Sequence, residues 1–143
     1  AASLYEFCFL SYPNEITGAT FIEIHRPIDL IMRKVGPILF TFIVALKVIL
    51  ATLFFVEKRK EKTWLILAAL VFLICDTYIA LTYNRPLNDL FLSWTPSTLP
   101  DNWATLRDEW LDYHLYRNIF KTLGIIAILL IYFVPKYKNI KEA

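Results

Sequence analysis

Three apolar runs are each long enough to cross a lipid bilayer as a helix, and they constrain the fold more than any other feature. They cover residues 36–56, 63–84 and 115–134. About 20 residues at 1.5 Å per residue match the ~30 Å hydrocarbon layer, and a helix satisfies its own backbone polar groups there. Residues 3–12 (SLYEFCFLSY) are apolar but too short to cross. We interpret residues 1–12 as part of a further span, so the sequence predicts an all-α, integral membrane four-helix bundle.

The composition supports one transmembrane domain over residues 1–143. Hydrophobic residues make up 57% of the chain, which is typical of membrane proteins. A net charge of +2 and the lack of a basic arm argue against a nucleic-acid partner. Cys8 and Cys75 lie in apolar segments without CxxC spacing, which favours buried thiols over a zinc site.

The distribution of basic residues predicts the orientation. Residues 57–62 (EKRKEK) contain four Lys/Arg and residues 136–143 (KYKNIKEA) contain three. The positive-inside rule makes this side cytoplasmic, with both termini inside and the chain in a bacterial inner membrane. Residues 13–35 and 85–114 then form an ordered extracytoplasmic cap. The expected partners are the lipid bilayer and either other membrane subunits or further copies of this chain.

Local signals predict where the outer elements begin and end. Apolar residues between positions 21 and 35 recur at nearly helical spacing, and Pro27 suits a helix start. Residues 84–102 (NRPLNDLFLSWTPSTLPDN) are turn-rich. Asp101 is a candidate N-cap for a helix that enters the membrane without a break, and Pro135 should end that helix.

Ionisable residues at membrane depth indicate a polar network. Lys47 and Asp76 lie near the middle of their spans, so we expect them to form a pair. Glu6, Arg117 and Lys121 lie nearer the outer ends of their spans. Two interpretations stay open: an ion-pair network that fixes helix register, or a polar cavity in the outer half of the bundle.

One face of the last helix carries aromatic and basic residues on both sides of the predicted water–lipid boundary. We call this face the stripe. At about 100° per residue, the stripe comprises Trp103, Arg107, Trp110, His114, Arg117 and Lys121. The opposite face changes from Asp108, Glu109 and Asp112 to Leu115, Tyr116, Ile119 and Leu123. The stripe therefore predicts contact with protein or with an internal cavity, as packed core or as the wall of a site.

His114 is the stripe residue with the most chemical potential, because an imidazole can act as a general base or acid near neutral pH. His25 could reach the same space. Two histidines supplemented only by Asp29, Asp89 or Asp112 have no metal-ligand spacing, so no metal site is predicted. GxSxG, P-loop, HExxH and CxxCH motifs are absent from the sequence.

The order of these features resembles the DUF1772 family of small four-span membrane proteins, which includes the anthrone oxygenases. The resemblance rests most on the run Asn84–Asn88 (NRPLN) and on Arg107, Trp110, His114 and Arg117. It extends over FLSYPNEI, FIEIHRPIDLIMRKVGP, NRPLNDLFLSW and WATLRDEWLDYHLYRNIFKTLG. It implies conversion of anthrones to anthraquinones with dioxygen and no organic cofactor, and a site at Asn88, Trp110, His114 and Arg117. Glu6 and Lys47 depart from the expected pattern.

Three hypotheses for function follow. In an oxygenase-like enzyme, His114 with His25 would remove a proton from a flat aromatic or phenolic substrate, and Arg117 would stabilise the enolate. Trp94, Trp103 and Trp110 would stack on the substrate, with Asn88 as a further binding residue. The alternative is a non-catalytic accessory subunit of a larger membrane complex. A small transporter ranks last, because paired broken helices are missing.

Overall fold

The computed structural model describes residues 16–135, which are helical over most of their length. The first span predicted at residues 1–12 lies outside the described residues. The elements are α1 (Gly18–Val56), α2 (Lys60–Ile79), a π-helical turn (Ala80–Asn84), α3 (Arg85–Ser93) and α4 (Trp103–Phe133).

Three helical stretches are long and apolar enough to cross a membrane. They are α1, α4, and a continuous helical rod that consists of α2, the π turn and α3. At most 17% of the most apolar 18-residue window in each stretch is buried, so these windows are available to lipid. This arrangement fits an integral membrane protein and bears out the all-α prediction within residues 16–135.

The prediction that α1 begins near Pro27 is wrong. The helix begins at Gly18, where Thr17 Oγ1 accepts a hydrogen bond from the Thr20 N–H at 3.2 Å as an N-cap. Pro27 and Pro37 both lie inside the helix. Each proline removes one backbone hydrogen bond, but the N-cap and the buried face ahead of Pro27 keep the chain helical.

The second membrane helix extends further than its apolar pattern. It passes through the π turn and continues to Ser93, with Pro86 accommodated in the first turn of α3. A proline fits there because the first helical N–H groups have no partner within the helix.

The start of α4 also differs from the prediction. Asn102, not Asp101, is the N-cap residue, and it makes no side-chain capping bond. From Trp103 the helix runs to Phe133 without interruption, two residues ahead of Pro135 as the sequence predicts.

The two ends of the molecule differ in construction. At the basic end, α1 closes with Arg59 N–H donating to Phe54 O at 2.8 Å and Lys58 N–H donating to Phe55 O at 3.0 Å, around a Lys58 φ of 58°. At the opposite end, called the outer end after the predicted orientation, α1, α3, α4 and the segment after α3 bury an aromatic cluster. Its members are Phe21, Ile22, Phe91, Trp94, Trp110 and Leu111.

Candidate functional site

Trp110 is the centre of the candidate site, because it contacts both histidines of the chain. The centroid of the His25 ring is 5.2 Å from that of Trp110, at an interplanar angle of 81°. The His114 ring lies 4.0 Å from Trp110 at 54°. Phe21 and Phe91 also contact His25, each with a ring centroid 5.3 Å away. The structure therefore brings His25, Trp110 and His114 together from α1 and α4.

Two asparagines of the rod fix the position of Trp110. Asn88 Oδ1 accepts a hydrogen bond from Trp110 Nε1 at 2.7 Å, so Asn88 orients the indole ring. Asn84 Nδ2 donates to the backbone oxygen of Trp110 at 3.1 Å. A buried indole N–H requires an acceptor, and Asn88 provides it.

Arg117 connects the site to the membrane-depth carboxylate. Its Nε donates to Asp76 Oδ1 at 2.8 Å, and its Nη1 donates to Asn84 Oδ1 at 3.4 Å. The expected pairing of Asp76 with Lys47 is therefore wrong. Counting residues along a helix gives the depth of a side chain but not the neighbouring helix that it contacts. Arg117 lies at the depth of Asp76, on the side of α4 that faces it.

Lys47 and Lys121 take part in separate local contacts. Lys47 is buried on α1, and its Nζ donates to Ala69 O of α2 at 2.8 Å. Lys121 Nζ donates to Asn118 Oδ1 of its own helix at 3.2 Å. Neither lysine reaches Asp76 in these contacts, and Glu6 lies outside the described residues. The expected network thus divides into an Arg117–Asp76 pair and two lysines bound elsewhere.

The stripe on α4 coincides with its buried face at the outer end. Arg107, Trp110 and His114 are all buried, whereas the opposite face of α4 is exposed along its whole length. The exposed residues are Asp108, Glu109, Asp112, Leu115, Tyr116, Ile119 and Leu123.

Burial controls the protonation of His25, which precedes the membrane-spanning run of α1. Desolvation lowers the pKa of His25 to about 4, although the Asp29 carboxylate acts in the opposite direction. Arg33 holds Asp29 and also donates to Asp89 of α3 at 2.6 Å, linking the two helices. This contact lowers the pKa of Asp89. His25 is therefore neutral at pH 7.

The other two predicted tryptophans lie at the edge of the cluster. Trp94 packs on Phe91 with ring centroids 4.9 Å apart, and its carbonyl accepts a hydrogen bond from Arg26. The Arg107 guanidinium lies over the Trp103 ring, with Arg107 Cζ 5.1 Å from the ring centroid. In these contacts Trp94 and Trp103 stabilise the outer end, and Trp110 is the tryptophan beside His114.

Sequence reasoning missed Asn84 as a site residue, although Asn84 has only 1% of its surface exposed and contacts both Trp110 and Arg117. The available signal was the position of Asn84 at the end of an apolar span, four residues before Asn88. It also missed Phe21 and Phe91, whose apolar character alone does not distinguish them from lipid-facing residues.

Within residues 16–135 no group of three or more His, Cys, Asp or Glu side chains is arranged to hold a metal ion. A surface depression of about 320 Å³ lies on α4, lined by Leu115, Asn118, Ile119, Thr122 and Leu123. Three of these residues, Leu115, Ile119 and Leu123, lie on the exposed face of α4 opposite the stripe, so this depression is distinct from the space around Trp110.

Comparison with known proteins identifies the family. Residues 30–127 match the family model described as anthrone oxygenase. This range includes Asn84, Asn88, Trp110, His114 and Arg117 and leaves out His25. No curated protein and no solved structure matches the chain. Because the matched range covers well over half of the sequence, the chain belongs to the anthrone oxygenase (DUF1772) family.

Proposed function

We propose that the protein is a membrane-bound oxygenase that oxidises a flat, phenolic aromatic substrate of the anthrone class with dioxygen. The observation that carries the proposal is the placement of His114 against Trp110, one turn before Arg117, within the residues that match the family model. A base, an aromatic surface and a fixed positive charge are thereby adjacent. The apolar exposed helices fit a substrate that arrives through the bilayer.

The proposed reaction replaces the two hydrogens of a ring methylene with one carbonyl oxygen. His114 removes one proton from the methylene carbon, leaving an electron-rich enolate. Dioxygen adds to that carbon and is reduced to a hydroperoxide, which takes up the proton. Loss of water, made of the second hydrogen and the outer hydroxyl, gives the ketone. One substrate and one dioxygen yield one quinone and one water, with no other reductant.

Arg117 supplies the charge that this step requires. The enolate oxygen carries negative charge that the neutral substrate does not, so a fixed guanidinium stabilises the transition state more than the ground state. Asp76 and Asn84 accept from two of its N–H groups. A guanidinium has five N–H donors. We therefore assign one or more of the other three to the enolate oxygen.

His25 and His114 are given different roles. His25 is neutral at pH 7 and a weak proton acceptor, because burial lowers its pKa to about 4. We assign proton removal to His114, and a hydrogen bond to the phenolic hydroxyl to His25. Trp110 lies between the imidazoles and provides the stacking surface.

The test is anthrone-dependent oxygen uptake by the full chain in lipid nanodiscs, with anthraquinone followed by absorbance. Protein-free nanodiscs measure autoxidation. Replacing His114 with Gln should reduce kcat by about 100-fold or more, the usual contribution of a positioned base. The matched control is Asn102→Gln at the exposed start of α4, which should leave kcat unchanged. Absence of uptake in the parent protein, or equal uptake in His114→Gln, contradicts the proposal.

A non-catalytic accessory subunit is the second candidate, favoured by the close packing of rings around His25. Phe21, Phe91 and Trp110 all lie within ring-contact distance of it, as in a structural core. This function predicts a stoichiometric partner that co-purifies in mild detergent. A monodisperse chain without partners, together with anthrone-dependent uptake, would reject it.

A further inference from the structure

We infer that Asn84 is a positioning residue, which the π turn delivers to α4 so that it fixes Arg117 and Trp110 at the same time. The inference deepens the proposed function and rests on it for its kinetic consequence. Asn84 does not remove the proton or bind the enolate. It acts through the guanidinium and the helix segment that do.

The contacts of Asn84 use both ends of its amide. Nδ2 donates to the Trp110 carbonyl at 3.1 Å, and Oδ1 accepts from Arg117 Nη1 at 3.4 Å. Trp110 and Arg117 are seven positions apart, two turns of α4, so one side chain spans the segment that carries His114. Only 1% of the Asn84 surface is exposed, so loss of the amide would leave the buried Trp110 carbonyl and the half-buried Arg117 guanidinium to find new partners.

Asp76 and Asn84 act on the same guanidinium from the same rod. Asp76 accepts from Arg117 Nε at 2.8 Å and supplies the opposite charge. Asn84 supplies a second, neutral acceptor. Two acceptors on different N–H groups fix the rotation of the guanidinium plane, which a single ion pair leaves free.

The π turn explains how one helix presents both residues to α4. In an uninterrupted α-helix, Asp76 and Asn84 would be about 80° apart around the axis, since eight residues turn by about 800°. A π turn holds about one extra residue, which removes about 100° of rotation. Ala80–Asn84 is such a turn, and Asp76, Asn84 and Asn88 consequently share the face that meets α4.

The first experiment compares Asn84→Leu with Asn102→Leu in nanodiscs. Leucine has the same branching and number of side-chain heavy atoms as asparagine, but neither a donor nor an acceptor. Asn84→Leu should lower kcat for anthrone oxidation by about 10- to 100-fold, the effect of losing hydrogen bonds to a charged group, with KM changed less than about twofold. The exposed Asn102 variant should match the parent. Equal kcat in the two variants overturns the inference.

A second measurement does not depend on catalysis. The Arg117 Nε–H signal in a ¹⁵N–¹H spectrum, assigned by its loss in Arg117→Lys, should shift in Asn84→Leu and stay in place in Asn102→Leu. An unchanged signal overturns the positioning role. If the parent lacks oxygen uptake, the proposed function fails, and this signal alone decides whether Asn84 orients Arg117.

A third experiment tests the π turn. Deleting the exposed Leu81 should convert the turn to a regular helix, with Asp76 and Asn84 about 20° apart. In this variant the Arg117 Nε–H signal should keep its position, and kcat should stay within about twofold of the parent value. Inserting one alanine after Leu81 rotates Asn84 by about a further 100° and should abolish both. Loss in the deletion variant, or retention in the insertion variant, contradicts the role of the turn.

Discussion

The outer and basic ends of the molecule are held together by different forces. At the outer end, large rings such as Phe21 and Phe91 are fully buried, as in a water-soluble core. Toward the basic end, α2 and α4 approach each other closely at Gly124. A methyl group added to Gly124 would place its carbon 3.7 Å from Phe72 Cβ and 3.8 Å from Ala69 O. Lipid is as apolar as leucine, so burial of apolar surface drives association in water, while close backbone approach and polar contacts drive it in the membrane.

The largest expected effect comes from breaking the ion pair between the two regions. Arg117→Leu should reduce the free energy of unfolding by about 3–5 kcal/mol, because Asp76 keeps a buried charge without its partner. Denaturation in detergent mixtures measures the change. The double variant Asp76→Asn with Arg117→Leu should recover part of the loss. Strict additivity of the two single changes would show that the pair is not coupled.

Truncating a side chain of the aromatic cluster should destabilise the fold more than truncating an exposed, lipid-facing one. Phe91→Ala removes a fully buried ring and should cost about 3–4 kcal/mol through lost burial and a cavity. Its matched control is Phe133→Ala, at a ring 75% exposed near the end of α4, where about 0.5 kcal/mol or less is expected. Similar losses at both positions would contradict the contrast between the two ends.

The outer end should also be acid-sensitive through His25. Its pKa falls from 6.5 in the unfolded chain to about 4 in the fold, so between these values the unfolded state binds more protons. Stability is therefore lost as the pH falls from about 6.5 to about 4, by up to about 3 kcal/mol. Thermal unfolding across this range measures the effect. His25→Phe should flatten the profile, and an equally steep profile in that variant would assign the sensitivity elsewhere.

The smallest effect is expected at Lys47. Lys47 donates a hydrogen bond to Ala69 O, and hydrogen bonds between membrane helices contribute on average about 0.6 kcal/mol. Lys47→Met should change the free energy of unfolding by about 1 kcal/mol or less in either direction. A loss comparable to that of Arg117→Leu would mean that Lys47 is part of the ion-pair network after all.

Helical periodicity was enough to predict which face of α4 is buried. The sequence places Trp110 and His114 on one face and Leu115 and Ile119 on the other, and their burial follows that division. Periodicity within one helix reports the side that avoids solvent. It contains no information about the residue across the interface, which is why the partner of Asp76 could not be read from the sequence.

The extent of the rod was less predictable for a related reason. The sequence after Asn84 contains Pro86 and polar residues that favour turns in isolation. The chain stays helical because the π turn keeps Asn84 and Asn88 against α4, and because Phe91 is buried among rings from α1 and α4. Tertiary contacts of this kind outweigh local propensity.

The end of α1 is a Schellman motif with lysine at the position that glycine usually occupies. A left-handed conformation costs a residue with a side chain about 1 kcal/mol or more relative to glycine. Lys58 also lies in the most basic loop of the described chain. Glycine there would relax the backbone but would remove one of the basic charges of residues 57–62, and loop charges of this kind bias membrane orientation during insertion. Lys58→Gly should therefore stabilise this helix end while weakening the positive charge of the loop that follows it.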